Sequence, residues 1–264
     1  NKHYYRLSKS DGHLKLPNKS SYEYFLDFDE THMKVYIELF VVTKQIYTTY
    51  LNNSTQLNFT SLVSKILRLR QCCNHPDAIL AKEYRIKKNL NENPYSSKFS
   101  QIIDIIKKTK EDEKILVFSQ WEYSLSLLSH CLKNQNIRYL EYNGKIPIKQ
   151  KNLILNQFEH NSDKVLLLTF GSGGIGINLS CANHVIIMDP WWNFALEEQA
   201  IDRIYRIGQK KNVYIHKLYM KKSIEEWMIE MKKQKQLVDT KFHQENLRYM
   251  VDKKLLREIL SNHI

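Results

Sequence analysis

No apolar run in the chain approaches the ~20 residues that a membrane-spanning helix needs, and the opening residues, NKHYYRLSKS, lack the apolar stretch of a secretory signal. No membrane role is expected. Cysteine is sparse: Cys72, Cys73, Cys131 and Cys181 include no C-x-x-C pair, which argues against a zinc site. The adjacent pair sits in an amphipathic run and is poor disulfide material. All four are read as reduced core residues of an intracellular protein, with no metal site. There is no G-x-x-x-x-G-K-[ST] phosphate loop, no acidic DEAH-like box, no internal repeat and no long low-complexity tract. Glycine is scarce too, and four of the seven glycines crowd into residues 171–176.

Acidic residues are the minority. Against 28 Asp and Glu stand 40 Lys and Arg, a formal charge of +12. That excess fits a polyanion partner, nucleic acid first, or merely solubility charge on a lysine-rich and asparagine-rich surface. At 264 residues the chain is long enough to bury a sizeable core.

Three regions are expected: 1–94, 95–222 and 223–264. The first opens with a loop holding Asp11, Gly12 and Pro17, then an extended piece over 22–28. Apolar residues at 33, 36, 37, 40 and 41 predict a helix over 32–51, capped by Thr31. A second helix is expected over 60–73, stopping near Pro76 because proline disfavours helix at the residue before it. Residues 89–97 read as a polar linker. In the second region, short apolar strands at 115–119, 138–142, 165–169, 185–189 and 213–219 alternate with helices at 121–134, 148–158, 174–179 and 194–204. That rhythm predicts an α/β fold built on a parallel sheet. The third region is a charged helix with Ile224, Trp227, Met228 and Met231 as its apolar stripe.

Residues 165–209 are the most informative stretch. Glycines leaving a strand let backbone N–H groups approach phosphate oxygens, or simply make a turn with positive φ. Arg203 and Arg206, four and seven residues past Gln199, are expected to share one helix face and point at one anion.

The strings DRIYRIGQ (202–209), DPWWNFALEEQA (189–200), RLRQCCNHP (68–76) and KILVFSQW (114–121) occur in this order. Together they resemble the motifs of SWI/SNF-family DNA-dependent ATPases, a branch of the superfamily 2 helicase-like proteins. The likeness covers nearly the whole chain and leans toward the RING-associated repair branch or the lodestar-type branch. It implies a RecA-like second motor lobe: a parallel sheet with helices on both faces, an N-terminal helical segment and a C-terminal helical extension. By the resemblance, Arg203 and Arg206 act as arginine fingers on Mg²⁺-bound ATP held mainly by the first RecA-like lobe, supported by Gln199, with Gly174, Gly176 and Asp202 on the nucleotide side. It also implies contacts from double-stranded DNA, within chromatin, to Ser119, Gln120, Trp121, Asn143, Gly144, Lys145, Thr169, Ser172, Asn178, Trp192 and Asn193. Trp192 has a plain alternative as a core aromatic. A nuclear location follows from the same likeness.

Two positions depart from the family pattern. Gly171 stands where a basic residue is usual, and Gly144-Lys145-Ile146 replaces a hydroxyl-bearing string. The stretch 210–222 and the lysines at 232, 233 and 235 are either a solvated face or a surface that docks DNA or the other lobe. Without the phosphate loop and acidic box the chain reads as half of a motor, a fragment inactive alone. Residues 75–98 contain no cysteine, so the zinc-binding RING inserted here in some relatives is absent or removed. Competing readings are an RNA helicase lobe and an inert protein-binding scaffold.

Overall fold

Six strands hydrogen-bond into one sheet, all neighbours parallel, in a computed structural model that describes residues 16–52, 56–79, 95–173, 177–191 and 194–237. They are β1 (Lys19–Leu26), β2 (Ile115–Ser119), β3 (Tyr139–Tyr142), β4 (Val165–Thr169), β5 (His184–Ile187) and β6 (Val213–Met220), ordered β1-β6-β5-β2-β4-β3. The three central strands β5, β2 and β4 are almost wholly buried, as their unbroken apolar sequences require. The edges β1 and β3 are more exposed. The extended piece expected over 22–28 overlaps β1, which starts earlier, at Lys19, ends at Leu26 and pairs with β6 along all eight residues.

Helices flank the sheet: α1 (Glu30–Asn52), α2 (Gln56–Asn74), α3 (Ser97–Lys108), α4 (Glu122–Asn134), α5 (Ile148–His160), a single turn α6 (Phe170–Gly173), α7 (Phe194–Asp202) and α8 (Ile224–Leu237). One sheet face packs Ile115, Val117, Val165 and Ile186 against Ile102 and Ile106 of α3 and Leu128 of α4. The other packs Leu116, Phe118, Leu166 and Ile187 against Phe158 of α5 and Ile201 of α7. A third cluster joins Phe40 of α1, Leu62, Ile66, Leu69, Cys72 and Cys73 of α2, and Trp227 and Met228 of α8. Each such buried aliphatic side chain contributes about 1.5–3 kcal/mol relative to exposure. Cys72, Cys73 and Cys131 are free and buried, and Cys181 is half-buried; burial pushes the Cys72 and Cys131 thiols up to about 12.

Several local expectations need correction. Asp29, not Thr31, caps α1: its Oδ1 accepts the His32 N–H at 2.8 Å and the Thr31 hydroxyl at 2.6 Å. Helix α3 begins inside the expected linker, where the Ser96 hydroxyl accepts the Phe99 N–H at 3.3 Å. The helix expected over 174–179 is not observed in its described part, because residues 177–179 are coil; the short helical turn comes earlier, at Phe170–Gly173. The opening loop with Asp11 and Gly12, the lysines' stripe partner Met231 as a side chain, and most of the 89–97 linker lie outside the described residues.

Candidate nucleotide and DNA interface

Because every pair is parallel, the carboxyl ends of β2, β3, β4 and β5 emerge at one edge of the sheet, the edge where ligands of open α/β folds bind. Gln120 and Trp121 leave β2 half-exposed there. After β3, Asn143 Oδ1 accepts the Lys145 N–H at 3.0 Å, a side-chain turn that leaves Gly144 and Lys145 exposed. Lys145 Nζ lies 2.9 Å from Glu122 Oε1, an exposed pair that costs little to open.

Two of the expected contact residues face inward. Ser119 is fully buried; its hydroxyl donates to Asp189 Oδ2 at 2.5 Å and accepts the Trp121 N–H at 3.0 Å. Ser172 is buried as well, donating to the Tyr142 carbonyl at 2.9 Å and so tying the loop after β4 to the end of β3. Both shape the edge rather than line it. Thr169 is half-buried with its hydroxyl 2.8 Å from Ser172 Oγ, and Asn178 is exposed, its Oδ1 accepting the Ser180 N–H at 3.3 Å. Gly174, Gly176, Trp192 and Asn193 lie outside the described residues.

The arginines do not share a helix face. Helix α7 ends at Asp202, and Arg203 and Arg206 sit on the turn that follows. The turn is tied across the fold: the Leu179 N–H donates to the Arg203 carbonyl at 3.3 Å, partnering a carbonyl beyond the helix end. The Gln209 amide donates to the carbonyls of Ser180, Ala182 and Ile204 at 3.1, 2.8 and 3.2 Å. Gly208 completes the turn with φ +100°, a conformation that favours glycine. Gln199, Asp202 and Arg206 are exposed and Arg203 is half-exposed. Among the described residues no carboxylate pairs with the Arg206 guanidinium. A turn presenting one such arginine fits an anionic group such as the phosphates of ATP.

Beneath the sheet edge lies a buried polar chain that the sequence reading missed. Glu225 Oε1 accepts from Lys98 Nζ at 2.6 Å, and Lys98 also donates to the Met188 carbonyl and Asn74 Oδ1. Asn74 Nδ2 donates to Asp189 Oδ2 at 3.0 Å, and Asp189 Oδ1 accepts the Gln120 N–H at 3.0 Å. Arg70 Nη2 donates to Gln120 Oε1 at 2.8 Å and to the Pro190 carbonyl at 3.0 Å. Its guanidinium lies 5.5 and 5.2 Å from the Trp121 and Trp191 ring centroids, within cation–π range. Burial lowers the Arg70 guanidinium to about 10, with Asp189 opposing; it stays charged at neutral pH. Burial likewise raises the Glu225 carboxyl, opposed by Lys98. The signal for this chain lay in RLRQCCNHP, where two polar residues punctuate a buried helix. His75 of that string accepts the Asp77 N–H through Nδ1 and stacks on Phe99 at 5.3 Å.

Comparison with known proteins agrees with this geometry. Residues 97–208 match the helicase conserved C-terminal domain and residues 1–78 the SNF2-related domain. The DNA repair protein RAD5 of Yarrowia lipolytica is 38% identical over 157 residues, covering 60% of this chain but only 15% of that protein. The C-terminal part of the Fun30 ATPase domain superposes with a TM-score of 0.74 at 22% identity, over 94% of this chain and 99% of that one. A Sulfolobus solfataricus SWI2/SNF2 ATPase core, solved in complex with dsDNA, gives 0.73 at 24% identity, over 92% of this chain and 50% of that one. The fold is therefore that of a RecA-like C-terminal lobe of a helicase-like ATPase. The chain thus carries segments matching the SNF2-related and helicase C-terminal domains, and it resembles SWI/SNF-family proteins, a DNA repair protein among them.

Proposed function

We propose that this chain is the second motor lobe of an ATP-driven translocase acting on double-stranded DNA, in the nucleus and on chromatin. The observation that carries the reading is the exposed Arg206 turn, pinned by Gln209 and Leu179 to the far end of the segment that leaves β4. One end of that segment, Thr169–Ser172, belongs to the proposed DNA-facing edge; the other underlies the arginines.

In this reading Arg203 and Arg206 supply charge to ATP held chiefly by the first lobe, and Gln199 and Asp202 border the same site. Bound Mg²⁺-ATP supplies the phosphoryl group that is transferred to water. The guanidinium groups bind phosphate oxygens and stabilise the charge that develops on them, without giving up a proton. Gln120, Trp121, Asn143, Gly144, Lys145, Thr169 and Asn178 border the DNA backbone, with Trp192 and Asn193 assigned there by family resemblance. Backbone contact suits a translocase, since it leaves no preferred stopping sequence. Ser119 and Ser172 support these loops from within.

The test is turnover of ATP by the intact protein with duplex DNA, with RNA, and with neither. Duplex-specific stimulation is expected; stimulation by RNA alone, or by nothing, would refute the reading. Residues 1–264 by themselves are expected to show no turnover. They should bind duplex DNA weakly and without sequence preference, with affinity dropping steeply from low to moderate salt as phosphate contacts release counterions.

A further inference from the structure

We propose that Arg70 and Asn74, at the end of α2, are positioning residues that hold the loops after β2 and β5 in their DNA-binding geometry. The inference rests on the DNA-facing role assigned above to Gln120 and Trp121.

Three observations carry it. First, both side chains are buried, yet each sends a hydrogen-bond donor to one or both of those loops. Arg70 reaches Gln120 and Pro190, which are 50 and 120 residues away in sequence, and Asn74 reaches Asp189, 115 residues away. Burying a guanidinium is costly unless it is well paired, and a leucine or methionine would fill the same volume more cheaply. The bonds it makes are therefore the reason for its presence.

Second, α2 reaches the groups that hold these loops. Trp121 stands at the N-cap of α4 without a side-chain capping bond to the helix. The local turn depends on the Ser119 hydroxyl and the Asp189 carboxylate, and Asp189 is in turn oriented by the Asn74 amide. The flat Arg70 guanidinium fixes the Trp121 and Trp191 rings from one side each.

Third, α2 belongs to a different packing unit. Its Leu62, Ile66 and Leu69 pack with α1 and α8 in a cluster that also takes in Met220 at the end of β6. A shift of that helical unit therefore reaches the β2 and β5 loops through Arg70 and Asn74.

The experiment compares intact wild-type protein with Arg70→Gln and Arg70→Lys. ATP turnover is measured with and without duplex DNA, together with the DNA concentration giving half-maximal stimulation and a melting curve. Arg70→Gln is expected to reduce the ratio of DNA-stimulated to DNA-free turnover about tenfold and to raise the half-maximal DNA concentration. Arg70→Lys restores the charge but not the planar stacking and should recover part of that ratio. An unchanged ratio in folded Arg70→Gln would overturn the inference, as would a proportional fall of both rates. If Arg70→Gln does not fold, Arg70→Lys carries the test with an expected loss of about threefold. Failure of both variants to fold would also overturn it, since that marks a purely structural residue. A wild-type protein that ignores duplex DNA would instead remove the underlying function, and the inference with it.

Discussion

Leu179 and Arg203 are joined backbone to backbone, the amide of the first donating to the carbonyl of the second at 3.3 Å. Helix α7 ends at Asp202, immediately before its first arginine, and the bond ties the turn that follows to the loop ahead of β5.

Arg206→Ala in the intact protein should abolish DNA-stimulated ATP turnover while leaving melting temperature and DNA binding largely unchanged. The side chain is exposed and supports no packing. Loss of a finger of this kind is expected to raise the barrier by about 4–7 kcal/mol, from the ~10³–10⁵-fold effect typical of arginine fingers. Retained turnover, or a collapsed melting transition, would count against the assignment.

Gln209→Ala should loosen the same turn from beneath. The substitution strands the buried carbonyls that the amide now serves, and removes the acceptor of the Lys211 N–H at 2.9 Å. A loss of about 1–3 kcal/mol is expected, from the cost of an unsatisfied buried polar group. Denaturant midpoints measure it, and turnover per folded molecule should fall as well because the arginines lose their fixed base.

Lys98→Met leaves Glu225 buried without its ammonium partner. The single change should destabilise by about 3–5 kcal/mol, whereas pairing it with Glu225→Leu should recover much of that loss. A double mutant no better than the single would show that the ion pair is not the source of the penalty.

Acid should weaken the fold through a histidine relay. The Glu113 carboxylate can only accept, so His184 Nε2–H donates to it at 3.2 Å. His184 Nδ1 then accepts from His216 Nε2–H at 3.2 Å, and His216 Nδ1 accepts from the Tyr24 hydroxyl at 3.0 Å. Burial lowers both histidines, His216 to about 4, with the neighbouring His184 adding to the effect. The unfolded chain therefore takes up protons that the folded chain refuses. This stability is fully present above the unfolded value near pH 6.5 and is lost as pH falls toward about 4. The loss for His216 is on the order of 2–3 kcal/mol. Chemical denaturation of wild type and His216→Phe between pH 7 and pH 4 should show a shallower pH slope in the variant.

Much of this architecture was legible in the sequence where the cause is local. The 115–119 and 165–169 strands coincide with β2 and β4 because short runs of consecutive aliphatic and aromatic residues suit a strand buried on both faces. What escaped was set by distant partners. The turn after α7 is tied to Leu179, and β1 depends on β6 to become part of the sheet. Helix α3 was a different kind of miss: Ser96 and the isoleucines at 102, 103, 105 and 106 were in plain view, but the polar residues ahead of them read as linker. Of the candidate site, the arginines stand out in their string, but their place on a turn beyond the helix does not. Nor does the inward turn of Ser119 and Ser172, because it depends on Asp189 and on the Tyr142 carbonyl.

The pairing of β1 with β6 has a consequence for how the protein comes into being. It joins positions near the start of this sequence to positions far along it; Tyr24 and His216, bonded across that pair, are 192 residues apart. As a ribosome releases the chain, β1 has no partner until β6 is made, and the hydrophobic surface shared by α1 and α2 waits for Trp227 and Met228 of α8. Loop closure over such a span is slow and leaves unpaired edges exposed meanwhile. The packing of α1 and α2 on α8 is therefore expected to come late, after β2, β3, β4 and β5, which lie nearer together in the chain.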